Sequence, residues 1–406
     1  MMRRTHRLSA LVLAAALAVG ACGGNDDPSS VHADIDISAL DSGNYPTTPI
    51  DIEKARTVDS GAIRESIAIG AAMPLLMDID NRFIYNSRSA SSRMVTPAVP
   101  PDFYIATGID TKEFNAIVPG VVAGWYTFGQ RREDMSIGRS AELYAVRFTN
   151  VDTASAASRI LGDRTTGTDY RLPDYPGAIS RVRDKIDYRS ATMNSWLAHG
   201  DMLLHLRIED PLSVPFDPVP LAELTKRAFD KQIDMLKNYT PTPLDKIAAQ
   251  PLDVDGLLSR VPTFAKEHLP VNGANPWGVY PLRSTVHSES HPDIARAAYE
   301  DAGMDYLVVG EKVIIYRTRD SSSTTRLTAA MQEQVADKET YKKTDSPPNF
   351  PSAQCFEVKP GVSSAYQYHP VCWFSIDRHV AQVHGRNVQD VHQRTAAQYK
   401  LLVAGH

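Results

Sequence analysis

One order of elements occurs twice along the chain, and it limits the possible folds more than any other feature of the sequence. Each occurrence runs strand, helix, strands, helix. In the first, Glu142 to Phe148 is rich in strand-forming residues. Asp152 is placed to cap a helix over 153–161, which Gly162 stops. After the loop Leu172 to Gly177, segments 193–198 and 202–208 read as strands about the turn His199-Gly200-Asp201. Leu221, Leu224, Ala228, Ile233 and Leu236 then recur at helical spacing. In the second occurrence, Val313 to Tyr316 is a strand and Asp320 caps a helix over 321–336. A strand at 354–358 and a hairpin of 371–376 with 379–383 follow, and Val388, Val391, Thr395, Tyr399 and Leu402 mark the last helix. Arg147-Phe148-Thr149 and Tyr316-Arg317-Thr318 lead into corresponding helices.

The pattern predicts an α+β fold of two related units. Each is an antiparallel sheet with helices packed on one face, ferredoxin-like or α/β-barrel-like. Residues 141–240 and 305–403 are expected to share one strand order, and the groove between them is the expected ligand site. A helix over 294–302, begun by Pro292 and ended by Gly303, belongs to the segment 276–318 that joins the halves. A chain of 406 residues suits two domains better than one small core. The boundaries read as 46–275 for the N-terminal domain and 276–406 for the C-terminal one.

The amino terminus has a different character. Arg3, Arg4 and Arg7 precede an apolar run from Leu8 to Val19, broken only by Ser9. A basic start, a short apolar stretch and small residues describe a secretory signal over 1–21. The run is too short for a membrane span, which needs roughly 20 residues. Its end, Val19-Gly20-Ala21-Cys22, resembles the lipobox of bacterial lipoproteins. That resemblance implies cleavage before Cys22 and acyl chains such as palmitate on it, an anchor stable with two or more chains. Arg3-Arg4 fits the twin-arginine export pattern poorly, and the route is left open. Residues 22–45, rich in Gly, Asp, Ser and Asn, read as a tether, with structure starting near Pro46.

Charge and cysteines narrow the partners. The formal net charge is −5, and loss of the three signal arginines leaves 40 basic against 48 acidic residues. No basic run stands out, so nucleic acid is not an expected partner, and neither is a polybasic grip on lipid headgroups. Beyond Cys22 only Cys355 and Cys372 remain, and in an exported chain such a pair reads as a disulfide. The chain-entropy model gives roughly 3 kcal/mol for a loop of that length.

No local motif names a reaction. G-x-S-x-G, H-E-x-x-H, Walker A and G-x-G-x-x-G are all missing from the sequence. Asp78-Ile79-Asp80-Asn81 and Asp253-Val254-Asp255-Gly256 resemble calcium loops but lack the closing glutamate, so they read as turns. In an extended strand His287, Glu289 and His291 would share a face and offer zinc two imidazoles and a carboxylate. Pro292 starts a helix directly after His291, however, so no metal or other cofactor is assigned. His199 and His379 both sit at hairpins, and His384 and His392 follow; strand edges and solvated helix faces account for them. Trp125-Tyr126-Thr127-Phe128 and Trp373-Phe374 read as core.

Several segments together resemble one family. They are Leu40 to Thr47, Leu172 to Pro176, Leu197 to Gly200, Ala228 to Gln232, Ala302 to Asp305 and Tyr316 to Asp320. The family is a group of uncharacterised two-domain lipoproteins of mycobacteria, nocardiae and rhodococci, each domain being of unknown function. The likeness covers nearly all of the chain after the signal, with Met304 where valine is more usual. It implies export, a lipid anchor on the outer face of the cytoplasmic membrane, and two domains, and it carries no site residue. The expectation is non-catalytic binding of an envelope ligand or protein partner. The alternatives are an enzyme acting on envelope material through a site with no local motif, and a purely structural lipoprotein.

Overall fold

A computed structural model describes residues 35–89, 91–184, 190–262, 277–336, 340–362 and 369–404. The signal over 1–21, Cys22 and the 275/276 boundary lie outside the described residues. Asp36 to His406 is one compact unit. No described helix is long and apolar enough to cross a membrane.

The first sheet comprises β1 (Met94–Val95), β2 (Val121–Gln130), β3 (Ser140–Phe148), β4 (Thr168–Asp169), β5 (Ile179–Arg183), β6 (Ala191–His199) and β7 (Met202–Asp210). The second comprises β8 (Gly278–Pro281), β9 (Tyr306–Gly310), β10 (Val313–Arg317), β11 (Tyr341–Thr344), β12 (Gln354–Val358), β13 (Val371–Ile376) and β14 (His379–His384). Their spatial orders are β1-β2-β3-β7-β6-β5-β4 and, read from the other edge, β8-β9-β10-β14-β13-β12-β11. Counted within each half, both are first, second, third, seventh, sixth, fifth, fourth, and the described pairings are antiparallel. The antiparallel α+β class expected from the sequence is the one observed. Among the described residues neither sheet closes into a barrel.

Among the described residues ten α-helices dress the sheets. They are α1 (Ser60–Ala71), α2 (Leu76–Ile79), α3 (Tyr104–Thr107), α4 (Phe114–Ile117), α5 (Val151–Arg164), α6 (Val219–Leu236), α7 (Leu282–Val286), α8 (Pro292–Asp301), α9 (Ser321–Ala336) and α10 (Val388–Val403). The two long helices of each half occupy equivalent places. Strand alternation puts Val146, Phe148, Trp196 and Leu203 on one face, where Ala154, Ala157 and Leu161 of α5 cover them. Leu143, Ala145, Met193 and Leu204 face the other way, toward Leu221, Leu224 and Phe229 of α6. In the second half Leu327 of α9 shares a core with Tyr316 and Trp373. Tyr399 of α10 meets Phe374 on the opposite face, ring centres 5.8 Å apart. Packing thus goes further than the one covered face expected, because each sheet carries helices on both.

Local chemistry sets the helix starts. The cap of α5 is Asn150 rather than Asp152: its side chain accepts from Thr153 N at 2.9 Å while Thr153 Oγ1 accepts from Asn150 N. Asp320 caps α9 as expected, accepting from Ser323 N at 2.8 Å. Counting back from these caps aligns Arg147 with Arg317, one residue away from the match suggested by the triplets. The strand register agrees, since Arg147 pairs Met202 and Arg317 pairs His379, each the first residue of its seventh strand.

The halves share one core, running from Ile67 and Trp125 to Tyr280, Val286 and Tyr316. Helix α1 lies along β2 so closely that a Cβ on Gly70 would stand 2.6 Å from the Trp125 ring. Asp78 accepts from Arg283 at 2.8 Å and from Arg296 at 2.7 Å, tying α2 to α7 and α8. Residues 36–45, placed by composition in the tether, are folded. Leu40 is buried, Lys400 Nζ reaches its carbonyl at 2.9 Å, and Tyr45 donates to Asp390. Gly and Asp content suggested a linker, but a buried leucine and a tyrosine are enough to dock this stretch against α10.

Candidate functional site

A row of aromatic rings crosses four strands of the first sheet. Tyr126 of β2 pairs Tyr144 of β3, Tyr144 pairs His205 of β7, and His205 pairs Trp196 of β6. Directly opposed residues share a face, so the rings touch in sequence. Centre distances are 4.9, 5.9 and 3.7 Å, with His205 stacked on Trp196. Two residues along each strand lies a second row on the same face: Phe128, Glu142, Arg207 and Asn194. Residues 88–89 and 91–106 border both rows and bound a cavity of about 470 Å³. Met94, Val95, Val99, Pro100 and Phe103 form its apolar wall. Ile105, 65% exposed, stands at the rim. The short helix α3 and the Pro100-Pro101 turn leave this space because neither is long enough to fill it.

The floor is charged but mostly paired. Arg88 pairs with Glu142 and also lies over the Phe128 ring at 4.6 Å. Arg207 holds Glu209, with Nε donating at 3.1 Å. Arg93, 1% exposed, donates through Nη2 to Asn86 Oδ1 at 3.1 Å and to the Arg88 carbonyl at 2.8 Å, and it stacks on Tyr126 at 4.8 Å. Several buried polar atoms have no partner among the described residues: both ring nitrogens of His205, Nη1 of Arg207, Nε and Nη1 of Arg93, and Oδ1 of Asn194. Native interiors leave few such groups, because each costs roughly 1–3 kcal/mol. Burial, then the Arg207 charge, pushes His205 well below the ordinary imidazole value. It is therefore neutral at pH 7, with one donor and one acceptor nitrogen. Burial pushes the Tyr144 hydroxyl well up, so it stays protonated.

No hydrogen-bonded group orients the His205 ring among the described residues. A base in nucleophilic catalysis is oriented by a hydrogen-bonded third group. His205 instead meets the rings of Phe103, Tyr144 and Trp196.

The residues singled out in the sequence lie elsewhere. Cys355 and Cys372 are disulfide-bonded, directly opposed on β12 and β13 with Cα atoms 4.1 Å apart. His287, Glu289 and His291 do not lie on a strand and do not converge. His287 ends α7, buried, with Nε2 3.2 Å from the Gly70 carbonyl. Glu289 accepts from Tyr299 Oη at 2.8 Å, and burial pushes its carboxyl up. His291 precedes α8 beside Tyr85, ring centres 5.6 Å apart. Asp78 and Asp80 are held by arginines, and Asp253 accepts from Leu258 N and Ser259 N, as ordinary turns do. His199 is exposed and His379 buried, at hairpins of different sheets.

The cavity itself lies on the first sheet and not in a groove between the halves. A signal for it was present in the sequence. Glu142 and Tyr144, like His205 and Arg207, put polar groups at alternate positions in strands flanked on both sides. In such a strand both faces are covered, so these groups are buried and need a reason. The run Trp125 to Phe128 divides between faces: Trp125 joins the shared core and Tyr126 lines the cavity.

Comparison with known proteins gives a family without an activity. Residues 52–252 match a domain of unknown function, DUF7373, N-terminal, and residues 257–405 match its C-terminal counterpart. No curated protein sequence matches the chain. Among solved structures, the extracellular domain of PknH from Mycobacterium tuberculosis aligns over 39% of this chain and 80% of its own. Its identity is 10% and its TM-score 0.23, a likeness too slight to carry an argument.

Proposed function

This chain belongs to the DUF7373 family, whose N-terminal and C-terminal domains together span most of it, and on that premise we propose that it is an exported, lipid-anchored protein of the cell envelope that binds a small ligand non-catalytically in the cavity of its first sheet. One observation carries the binding reading. A cavity of about 470 Å³ is floored by His205 and Arg207, and both ring nitrogens of His205 and Nη1 of Arg207 are buried with no partner among the described residues. The volume falls in the range of small-molecule sites. The anchor rests on the arginines, apolar run and cysteine of residues 1–22.

Mass spectrometry of small molecules released from the purified full chain tests the binding. A near-stoichiometric compound is expected, and Ser92→Trp, which fills the cavity wall, is expected to abolish it. A chain that carries nothing, or whose compound persists in S92W, sinks the proposal. The anchor is tested separately. Fatty-acid labelling is expected in the native chain and absent in Cys22→Ala, and equal labelling of the two refutes it.

A further inference from the structure

We propose that the cavity takes a monoanion with an apolar body, such as a carboxylate or phosphodiester on an alkyl or aryl group, with its oxygens toward Arg207 and His205. This rests on the reading of the cavity as a ligand site and specifies what the site selects. Charge is the first argument. Arg88 is neutralised by Glu142 and Arg207 by Glu209. Arg93 is left over. It is 1% exposed, and the groups it touches are the Asn86 amide, the Arg88 carbonyl and the Tyr126 ring, none of them an anion. Tyr126 and Met94, the residue after Arg93, both line the cavity. A buried guanidinium without a counter-ion is costly, and an anion in the cavity would supply one. Asp102 does not do so: it is exposed at the rim and accepts from Tyr104 N at 3.1 Å.

Hydrogen-bonding supply is the second argument. Of the unpartnered buried atoms at and beneath the floor, Arg207 Nη1, Arg93 Nε and Nη1 and one nitrogen of the neutral His205 ring are donors, against two acceptors, the other His205 nitrogen and Asn194 Oδ1, while Glu142 and Glu209 are already engaged. Ligand oxygens satisfy such donors, and a charged oxygen does so most strongly. One uncompensated positive charge matches a monoanion, whereas a phosphate monoester would bring about −1.5 to −2. The wall is the third argument. Met94, Val95, Pro100 and Phe103 offer the rest of the ligand only apolar contact, and Ile105 extends that surface to the rim.

The test compares dodecanoate with dodecan-1-ol, which share a chain and differ in charge, by calorimetric titration of the full chain at pH 7. Dodecanoate is expected to bind at least about tenfold more tightly, the least that one charge-assisted hydrogen bond supplies. Arg207→Gln, at a residue already on the sheet surface, should remove most of that preference while leaving affinity for the alcohol. Arg93→Met should do the same by removing the uncompensated charge. Equal affinity for acid and alcohol in the native chain overturns the charge assignment and leaves the ligand site standing. Failure of both to bind overturns the assignment too, and the site reading then stands or falls on the compound carried by the purified chain.

Discussion

Ser180 and Ser195 face each other in the first sheet where Cys355 and Cys372 face each other in the second. Both pairs join the fifth and sixth strands, both are buried, and both precede a tryptophan in the sixth strand, Trp196 or Trp373. The first pair makes a hydrogen bond of 2.8 Å and the second a covalent bond. Similar correspondences continue outward. Arg147 and Arg317 stand at the ends of the third strands that pair with the first residue of the seventh. Across from the tryptophans stand His205 in one half and Gln382 in the other. Gln382 is provided for within the protein, accepting from Tyr316 Oη at 3.3 Å and donating to His384 Nε2 at 2.9 Å. His205 is not. The connection between first and second strands differs as well: α8 brings Tyr299 against Tyr316, while the shorter α3 leaves the cavity open. One scaffold is thus used twice, and among the described residues the half that leaves its polar row unsatisfied is the one with a cavity over that row.

The largest expected difference between the halves lies in the paired arginines. Arg147 Nη1 donates at 2.7 Å to Glu65, which is 1% exposed, whereas Arg317 holds Asp255 and Asp305, whose side chains are 63% and 43% exposed. Arg147→Met takes the counter-ion from a buried carboxylate that keeps Tyr239, Thr242 and Gln250 as donors, and should cost about 3 kcal/mol. Arg317→Met releases two carboxylates to water and should cost about 1 kcal/mol. Urea unfolding measures both. Equal losses would mean that the two arginines do the same work and that burial does not separate them.

The serine and cysteine pairs give the next comparison. Replacing Cys355 and Cys372 together by serine copies the first half into the second and should cost roughly 3 kcal/mol in the chain-entropy model. Replacing Ser180 and Ser195 together by cysteine copies the second half into the first. Thiol titration should find the new bond formed, with a gain of up to about 3 kcal/mol under oxidising conditions. Free thiols at 180 and 195 in the folded variant would show that the two strand pairs are not geometric equivalents.

How much of this was legible follows from where each element sits. Elements with one strong pattern were read almost to the residue: 354–358, 371–376 and the helix begun by Asp320. The edge strands Thr168–Asp169 and Tyr341–Thr344 were not, because they are short and largely exposed and so show no alternation. Helix α1 was missed because Ser60, Gly61, Glu65, Ser66 and Gly70 are buried along with Ala62, Ile67 and Ile69, and these polar and small residues break up the apolar stripe. The cavity was missed for a different reason. Tyr126, Tyr144 and His205 belong to three separate strands, and only the register of a folded sheet makes them one row. The cysteine pair was legible because, with Cys22 set aside, only Cys355 and Cys372 are left to pair.

Protons give the smallest and most selective comparison. Burial, then the Arg207 charge, holds His205 well below the ordinary value of 6.5. Burial, with Lys312 and His369 nearby, holds His384 down to about 4. Both are therefore neutral when folded at mild acidity, whereas in the unfolded chain both take a proton near 6.5. Below that pH the unfolded state binds more protons, so the stability these residues lend is complete above 6.5 and is lost as pH falls. Each pH unit removes about 1.4 kcal/mol for a histidine that stays neutral in the fold. His205, 1% exposed, should show that full slope. His384, whose folded form titrates near 4, should show nearly the same slope down to about pH 5 and flatten below it. His287, held down to about 3 by burial, adds the same trend to every variant. His205→Gln, which places the second half's residue in the first, should therefore flatten the loss of stability between pH 6.5 and 5 about as much as His384→Gln does, and more than it below pH 5. Urea unfolding at pH 7, 6 and 5 reads the slopes directly. If H205Q and the native chain lose stability in parallel, the His205 ring is solvated, and the floor of the cavity does not hold the unsatisfied groups on which ligand binding has been argued.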